Sequence, residues 1–161
     1  LFAGKFVAYK GLTEDKQVSW LPSYGPEMRG GTASCSVIVS DEPVGSPIVS
    51  NPDVLVALNL PSLDKFESAV KPGGFIFADS TLIERKVERT DVNVFYIPAT
   101  QLASDNGIPT LANMIVMGKM LKELSDYTKD GIENGLAKVI SAKRADMKEL
   151  NVKALEIGAN Y

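Results

Sequence analysis

Short apolar runs alternate along this chain with longer amphipathic stretches, and this alternation limits the possible folds more than any other feature. Runs rich in Val, Ile, Phe and Tyr and bounded by Gly, Pro, Asn or Asp indicate β-strands, whereas apolar residues at helical spacing indicate α-helices. The predicted strands cover residues 17–21, 33–40, 53–58, 74–79 and 92–97, and the predicted helices cover 2–9, 61–70, 99–104, 111–124, 130–141 and 145–157. This order predicts an α/β fold with three layers, α/β/α, around a Rossmann-like, mainly parallel or mixed sheet.

Two of the strands differ in pattern. Residues 53–58 are almost continuously apolar, as expected for a central parallel strand that is covered on both faces. Residues 33–40 alternate more regularly, which favours an edge or antiparallel position. Pro61 suits the first turn of a helix, and Asp130 with Glu133 resembles a capping box.

The chain has 161 residues, of which 45% are hydrophobic, and this is enough for one core. We therefore predict a single domain over residues 1–161, in which 126–161 form amphipathic helices. Each of these helices carries an apolar stripe that we expect to pack against the core. The stripes consist of Ile132, Leu136, Val139 and Ile140, and of Met147, Leu150, Ala154 and Ile157.

Composition excludes several classes of function. A net charge of −3 and a pI near 5.0 leave no basic stripe for neutralising phosphates, so nucleic acid is not expected as a partner. The longest apolar runs are far shorter than the roughly 20 residues that cross a bilayer, so no membrane association is expected. The chain has no histidine and one cysteine, Cys35. Because an iron–sulfur cluster typically needs about four thiolates and zinc sites usually need His or Cys, we expect neither a metal nor a catalytic residue on this chain.

An unusual group of residues lies at 24–31, where the sequence reads Tyr-Gly-Pro-Glu-Met-Arg-Gly-Gly. Gly30 and Gly31 allow positive φ and close backbone approach beside Arg29. A guanidinium is a rigid fork that matches carboxylate or phosphate oxygens, so Arg29 is a candidate anion-binding residue. Glu27 would hold Arg29 in position or pair with another subunit, and Tyr24 would stack, donate from its hydroxyl or pack at an interface. The alternative is a surface loop whose charges are merely solvated.

Ligands of doubly wound sheets bind outside the carboxyl ends of the strands. Polar residues follow each predicted strand there, in segments 21–24, 59–62, 79–81 and 98–100. We interpret Ser62, Ser80 and Thr100 as helix caps, and we leave Asn59 open between a cap and a ligand contact. Asn113, near a helix start, would cap the helix, bond to the loop or face a ligand.

These segments together resemble the gamma subunit, or gamma domain, of the 2-oxoacid:ferredoxin oxidoreductases. The resemblance covers roughly residues 1–125 and rests on 19–40, 53–59, 71–74, 97–100 and Asn113 with Met114. Such subunits normally open with a strand and a turn of the form Gly-x-Gly-Gly-Gln-Gly. This chain starts with residues that resemble the helix after that turn, so we expect the N-terminal strand and turn to be missing from the sequence.

The resemblance implies an enzyme complex in which this chain lacks a cofactor of its own. The complex oxidatively decarboxylates a 2-oxoacid to an acyl-CoA and reduces ferredoxin. 2-Oxoglutarate is the first choice of substrate, and pyruvate or a branched 2-oxoacid is the second. Thiamine diphosphate lies between alpha and beta subunits, and iron–sulfur clusters lie on other subunits.

The partners implied are alpha, beta and delta subunits and, through the complex, ferredoxin, in the cytoplasm of an anaerobe. The isolated chain is expected to be inactive and to self-associate, for example as a homodimer. Residues expected to face substrate or coenzyme A are Tyr24, Glu27, Arg29, Gly30, Gly31, Asn59 and Asn113. Two alternatives remain: a stand-alone Rossmann-like nucleotide-binding module and a purely structural assembly subunit.

Overall fold

The computed structural model describes residues 1–23 and 33–161. The helices are α1 (Phe2–Thr13), α2 (Leu60–Phe66), α3 (Ala99–Asp105), α4 (Ala112–Glu123), α5 (Lys129–Val139) and α6 (Ala145–Asn160), and the strands are β1 (Gln17–Ser23), β2 (Ser34–Ser40), β3 (Val54–Ala57), β4 (Phe75–Asp79) and β5 (Asn93–Ile97). The described residues form two compact units, 1–49 with 127–152 and 50–126 with 153–161. A single domain over 1–161 stays a prediction. No helix in the described ranges is long and apolar enough to cross a membrane.

In the first unit, β1 and β2 form an antiparallel pair in which Gln17 lies opposite Ser40 and Ser23 opposite Ser34. This pairing confirms the antiparallel position that we predicted from the alternation in residues 33–40. Helix α1 packs on one face of the pair, and a Cβ atom added at Gly4 would overlap the Sγ of Cys35. The helix therefore lies close to the strands because it presents a glycine to them.

Helix α5 packs against α1 in the same unit, where Gly135 contacts Phe6 and Lys10. Its N-cap is Thr128, whose hydroxyl accepts a hydrogen bond from the backbone N–H of Gly131 at 3.2 Å. The predicted capping box is therefore wrong. Glu133 instead pairs with the ammonium of Lys148 at 2.7 Å, and this ion pair lowers the pKa of Glu133.

The second unit contains the parallel sheet, in the order β3-β4-β5. On one face, Leu55 and Ile76 pack in a cluster with Leu63 of α2. On the other face, Phe77 stacks on Phe95 at a ring distance of 5.1 Å, and Lys119 of α4 lies over Phe95. Helices thus cover both faces, which confirms the α/β class with parallel and antiparallel pairs. Among the described strands of this sheet, β4 is the central one. The apolar run at 53–58 had predicted the central position for β3.

Helices α4 and α6 meet in this unit through two glycines. A Cβ at Gly118 would overlap the carbonyl oxygen of Leu155, and a Cβ at Gly158 would overlap that of Ile115. This contact also determines which face of α6 is buried. Leu150 of the predicted stripe is 37% exposed, while Leu155 is fully buried. The predicted stripe is therefore displaced by about one residue, because the glycine contact turns a different face toward α4.

Replacing either glycine of this crossing by alanine should destabilise the protein. Alanine in a helix normally gains about 1 kcal/mol over glycine, but here the new methyl group meets backbone that cannot move aside locally. Overpacking costs typically about 1–3 kcal/mol and occasionally more. We expect Gly118→Ala and Gly158→Ala to lower the free energy of unfolding by about 1–3 kcal/mol, measured by urea denaturation.

Gly45→Ala is the matched control, since a Cβ at Gly45 meets no atom within 4 Å. Its unfolding midpoint should stay close to that of the unmodified chain. A stabilising effect of Gly118→Ala would contradict the close approach of the two helices.

Candidate functional site

Five of the seven predicted site residues lie outside the described residues: Tyr24, Glu27, Arg29, Gly30 and Gly31. They follow Ser23 in the sequence and precede Ser34, and these two serines lie opposite each other in the β1–β2 pair. The anion-binding role of Arg29 stays a prediction.

We expected the segment 21–24, of which residues 21–23 are described, at the carboxyl edge of the parallel sheet together with the other strand exits. Instead, β1 belongs to a separate two-stranded antiparallel sheet, so the argument that places ligands at the carboxyl edge of parallel strands does not apply to it. That part of the prediction is wrong because a local apolar pattern does not specify which strand a segment pairs with.

At the carboxyl edge of β4 and β5, the carboxylate of Asp79 binds two segments of the chain. Asp79 is 1% exposed, and it accepts hydrogen bonds from the backbone N–H of Thr81 at 3.1 Å and of Thr100 at 3.3 Å. The hydroxyl of Thr100 also donates to Asp79, at 2.6 Å. The hydroxyl oxygen of Thr81 accepts in turn from the backbone N–H of Gln101 at 3.1 Å. The exit of β4 is therefore joined to the start of α3 by buried polar contacts.

These contacts correct the interpretation of three residues as helix caps. Thr100 is bound to Asp79 across the sheet edge, and no helix starts at Ser80, whose backbone N–H donates to the carbonyl of Ile97 at 2.8 Å. Ser62 is the donor rather than the cap. Its backbone N–H donates to the side-chain oxygen of Asn59 at 2.9 Å, so Asn59 is the N-cap of α2. The helical stretch begins one residue earlier than predicted, and Pro61 lies in its first turn as expected.

The hydrogen bonds at the starts of α2 and α3 bear on whether these helix starts could bind an anion. A helix N-terminus binds an anion through free backbone N–H groups. In the described part of the chain, the N–H groups of Ser62, Thr100 and Gln101 at the starts of α2 and α3 already donate to side-chain oxygens. These two helix starts are therefore used in holding the sheet edge together.

Asn113 lies in the first turn of α4, whose N-cap is Leu111, with no side-chain capping bond. Its amide oxygen is buried and has no hydrogen-bond partner among the described residues. Leu124, just after the end of α4, lies with Val54 and Phe75 around a small cavity of about 290 Å³ at the amino edge of the sheet. Since α4 also packs on β4, Asn113 at the opposite end of α4 lies toward the carboxyl edge.

A charged cleft of about 310 Å³ was not predicted from the sequence. In it, Arg85 binds Asp64 at 2.8 Å and Glu67 at 2.9 Å, and these carboxylates raise the pKa of Arg85. Arg89 donates to the carbonyl of Glu67 at 3.1 Å and binds Asp91, whose pKa it lowers. The two arginines are thus paired with carboxylates and attach the irregular segment 80–92 to α2 and to Glu67, which follows it. The run Glu-Arg-Lys-Val-Glu-Arg was the available signal, but the partners lie about 20 residues away.

Residues 1–23 and 33–161 contain no group of three or more His, Cys, Asp or Glu side chains that is arranged to hold a metal ion. At the described carboxyl edge, Asn59, Asp79 and Thr81 accept hydrogen bonds from backbone N–H groups, whereas the buried amide oxygen of Asn113 has no partner among the described residues. The described part of the candidate site therefore holds chain segments in place.

Comparison with known proteins identifies the family. The family model described as pyruvate ferredoxin/flavodoxin oxidoreductase matches residues 1–161. The chain is 39% identical, over 99% of its length, to the ketoisovalerate oxidoreductase subunit VorA of Methanothermobacter thermautotrophicus, and it spans about a third (35%) of that relative. It is 34% identical to the 2-oxoglutarate synthase subunit KorC of Methanocaldococcus jannaschii, over 78% of this chain and 68% of the relative.

A solved structure agrees with this assignment. The keto/oxoacid ferredoxin oxidoreductase gamma subunit of Geobacter sulfurreducens superposes with a TM-score of 0.78 at 30% identity, covering 98% of this chain and 88% of that one. The resemblance predicted from the residues at 19–40, 53–59 and 71–74 is confirmed. The chain belongs to the pyruvate ferredoxin/flavodoxin oxidoreductase family.

Proposed function

We propose that this chain is the gamma region of a multi-subunit 2-oxoacid:ferredoxin oxidoreductase. The complex oxidatively decarboxylates a 2-oxoacid, transfers the acyl group to coenzyme A and reduces ferredoxin. The observation that carries the proposal is the match of the family model to residues 1–161, with relatives named as subunits of two such enzymes. Since the chain spans only about a third of VorA, the activity and the partners belong to the proposal and not to the comparison.

The substrate is a 2-oxoacid, and two classes of 2-oxoacid are candidates. VorA is named for ketoisovalerate and KorC for 2-oxoglutarate. The resemblance of the residues favoured 2-oxoglutarate, and the higher identity to VorA favours a branched 2-oxoacid. Rates of the assembled enzyme with each substrate and with pyruvate distinguish the two classes.

The role of this chain within the complex is to bind and position. Thiamine diphosphate supplies the decarboxylation chemistry when bound, and iron–sulfur clusters carry the electrons. With no histidine and one cysteine, the residues of this chain do not fit a cluster site. We therefore assign the clusters to other subunits, and we assign thiamine diphosphate to other subunits on the resemblance to the family. Arg29 is our candidate for the chain's own contribution, because its guanidinium matches the carboxylate of a 2-oxoacid or a phosphate of coenzyme A.

The stand-alone nucleotide-binding module is the less favoured alternative. Such a module would place phosphates on a helix start that follows a parallel strand. In the described residues, the starts of α2 and α3 donate to Asn59, Asp79 and Thr81. A phosphate at either start would have to displace a side-chain oxygen that already satisfies the backbone.

The isolated chain should bind no iron, flavin or thiamine diphosphate and should oxidise no 2-oxoacid. This follows from its lack of cluster ligands and of a general base. Anaerobically purified protein should show no visible absorbance from an iron–sulfur cluster. It should also show no 2-oxoacid-dependent reduction of a viologen dye. Either signal from the chain alone would contradict the assignment of the cofactors to other subunits.

In the assembled enzyme, Arg29→Ala should weaken the binding of one substrate. Loss of a hydrogen bond to a charged group costs about 1.5–3 kcal/mol, so the KM for the 2-oxoacid or for coenzyme A should rise on the order of tenfold to a hundredfold. Arg29→Lys should have an intermediate effect, because an ammonium replaces the charge but not the bidentate geometry. Steady-state kinetics with each substrate varied in turn measures both constants.

Arg144→Ala is the matched control. Arg144 is exposed and its ion pair with Asp146 is long, at 3.9 Å, so both KM values should be unchanged. If Arg29→Ala leaves both KM values unchanged, Arg29 is not in the site. If Arg29→Ala releases the chain from the complex instead, Arg29 forms a structural ion pair.

A further inference from the structure

We propose that the free edge of β2 pairs with β2 of a second copy of this chain, antiparallel and across a two-fold axis at Val37. The pairing would join the two-stranded sheet of each copy into one sheet of four strands. The proposal goes beyond the oxidoreductase function and does not depend on it.

The register of the β1–β2 pair determines which backbone groups of β2 point away from β1. Antiparallel partners alternate between hydrogen-bonded and non-hydrogen-bonded pairs. Pro22 lies opposite Cys35 and has no N–H, so this pair is of the non-hydrogen-bonded kind. By alternation, Val37 opposite Trp20 and Val39 opposite Val18 are of the same kind. The N–H and C=O groups of these three β2 residues therefore point toward the free edge of the strand.

The free edge of β2 lacks the usual protection against pairing. Exposed edge strands are normally short, charged or interrupted by proline. Residues 34–40 read Ser-Cys-Ser-Val-Ile-Val-Ser, with no charge and no proline over the full strand. In the described part of the chain, the backbone of this strand forms no hydrogen bonds beyond those with β1. The N–H and C=O groups along this edge are therefore available to pair with one more strand.

The sequence of β2 is complementary to itself about Val37, which indicates a second copy as the occupant. In an antiparallel pairing centred there, Val37 meets Val37 of the second copy and Cys35 meets its Val39. These are all edge-pointing residues, so the pairing forms about six backbone hydrogen bonds. Their side chains all lie on the face that packs on α1, as Cys35 and Val37 do beside Gly4. On the other face, Ser34 meets Ser40 and Ser36 meets Ile38.

Each cross-strand pair thus places an apolar side chain against an apolar one, a hydroxyl against a hydroxyl, or the small Ser36 against Ile38. No pair brings like charges together, which is the arrangement that destabilises antiparallel strands. A two-fold arrangement of this kind is also closed, so it yields a dimer and does not extend into a fibre.

A disulfide trap tests the register directly. In the proposed pairing, Val39→Cys places a thiol opposite the native Cys35 of the second copy, at a Cα separation of about 5.5 Å, within the range of about 4.4–6.8 Å for disulfides. Within one copy, positions 35 and 39 are about 13 Å apart along the strand and cannot be bridged. Mild oxidation of the purified assembled protein should give a species of twice the polypeptide mass in non-reducing electrophoresis.

The double variant Cys35→Ser with Val39→Cys is the control and should form no such species. The proposal is overturned if Val39→Cys alone gives no cross-linked pair, if the control cross-links equally, or if the thiol links this chain to a different subunit.

A second pair of variants keeps the proposal testable if the trap variant fails to fold. Ser36→Lys puts a charge on the β2 edge opposite Ile38 of the second copy, and Ser19→Lys puts the same charge on β1, one strand farther from the axis. Sedimentation velocity should show the mass of the assembly halved by Ser36→Lys and unchanged by Ser19→Lys. An unmodified protein that stays single-copy across all concentrations, or a dimer that Ser36→Lys leaves intact, would also overturn the proposal.

Discussion

The buried carboxylate of Asp79 joins the ends of two neighbouring parallel strands to the start of the helix that follows them. A carboxyl group that is 1% exposed is tolerated only where donors surround it, and Thr81 with Thr100 supply three of them. Because the donors come from segments about 20 residues apart, the carboxylate fixes the exit of β4 and the entry of α3 relative to each other. This junction holds the exits of β4 and β5 together at the carboxyl edge.

At the described carboxyl edge, the starts of α2 and α3 donate hydrogen bonds to side-chain oxygens of Asn59, Asp79 and Thr81. These contacts hold the strand exits in place. The sequence has no histidine and one cysteine, so it lacks the usual general base and the thiolates of a cluster site. In the proposed complex, this member of an oxidoreductase family contributes a binding surface.

Local patterns predicted the elements well, and tertiary contacts explain what they missed. The strands at 74–79 and 92–97 were found within a residue or so, because their apolar runs are bounded by clear turn signals. The place of β1 outside the parallel sheet was missed, since a local apolar run does not specify which strand it pairs with. The buried face of α6 differs from the predicted stripe because Gly158 packs against the backbone of α4. The helical spacing of apolar residues does not reveal such a contact. The motif around Arg29 stays a prediction from residue types, because it lies outside the described residues, whereas the role of Asp79 needed the fold.

The central claim is that this chain is a functional part of a 2-oxoacid:ferredoxin oxidoreductase. The most direct test is to purify the complex without the polypeptide that carries this chain, add that polypeptide back, and measure coenzyme A-dependent reduction of ferredoxin with a 2-oxoacid. The account predicts little activity before the addition and restored activity after it, at one copy of this chain per active site. Full activity without the polypeptide would contradict the account.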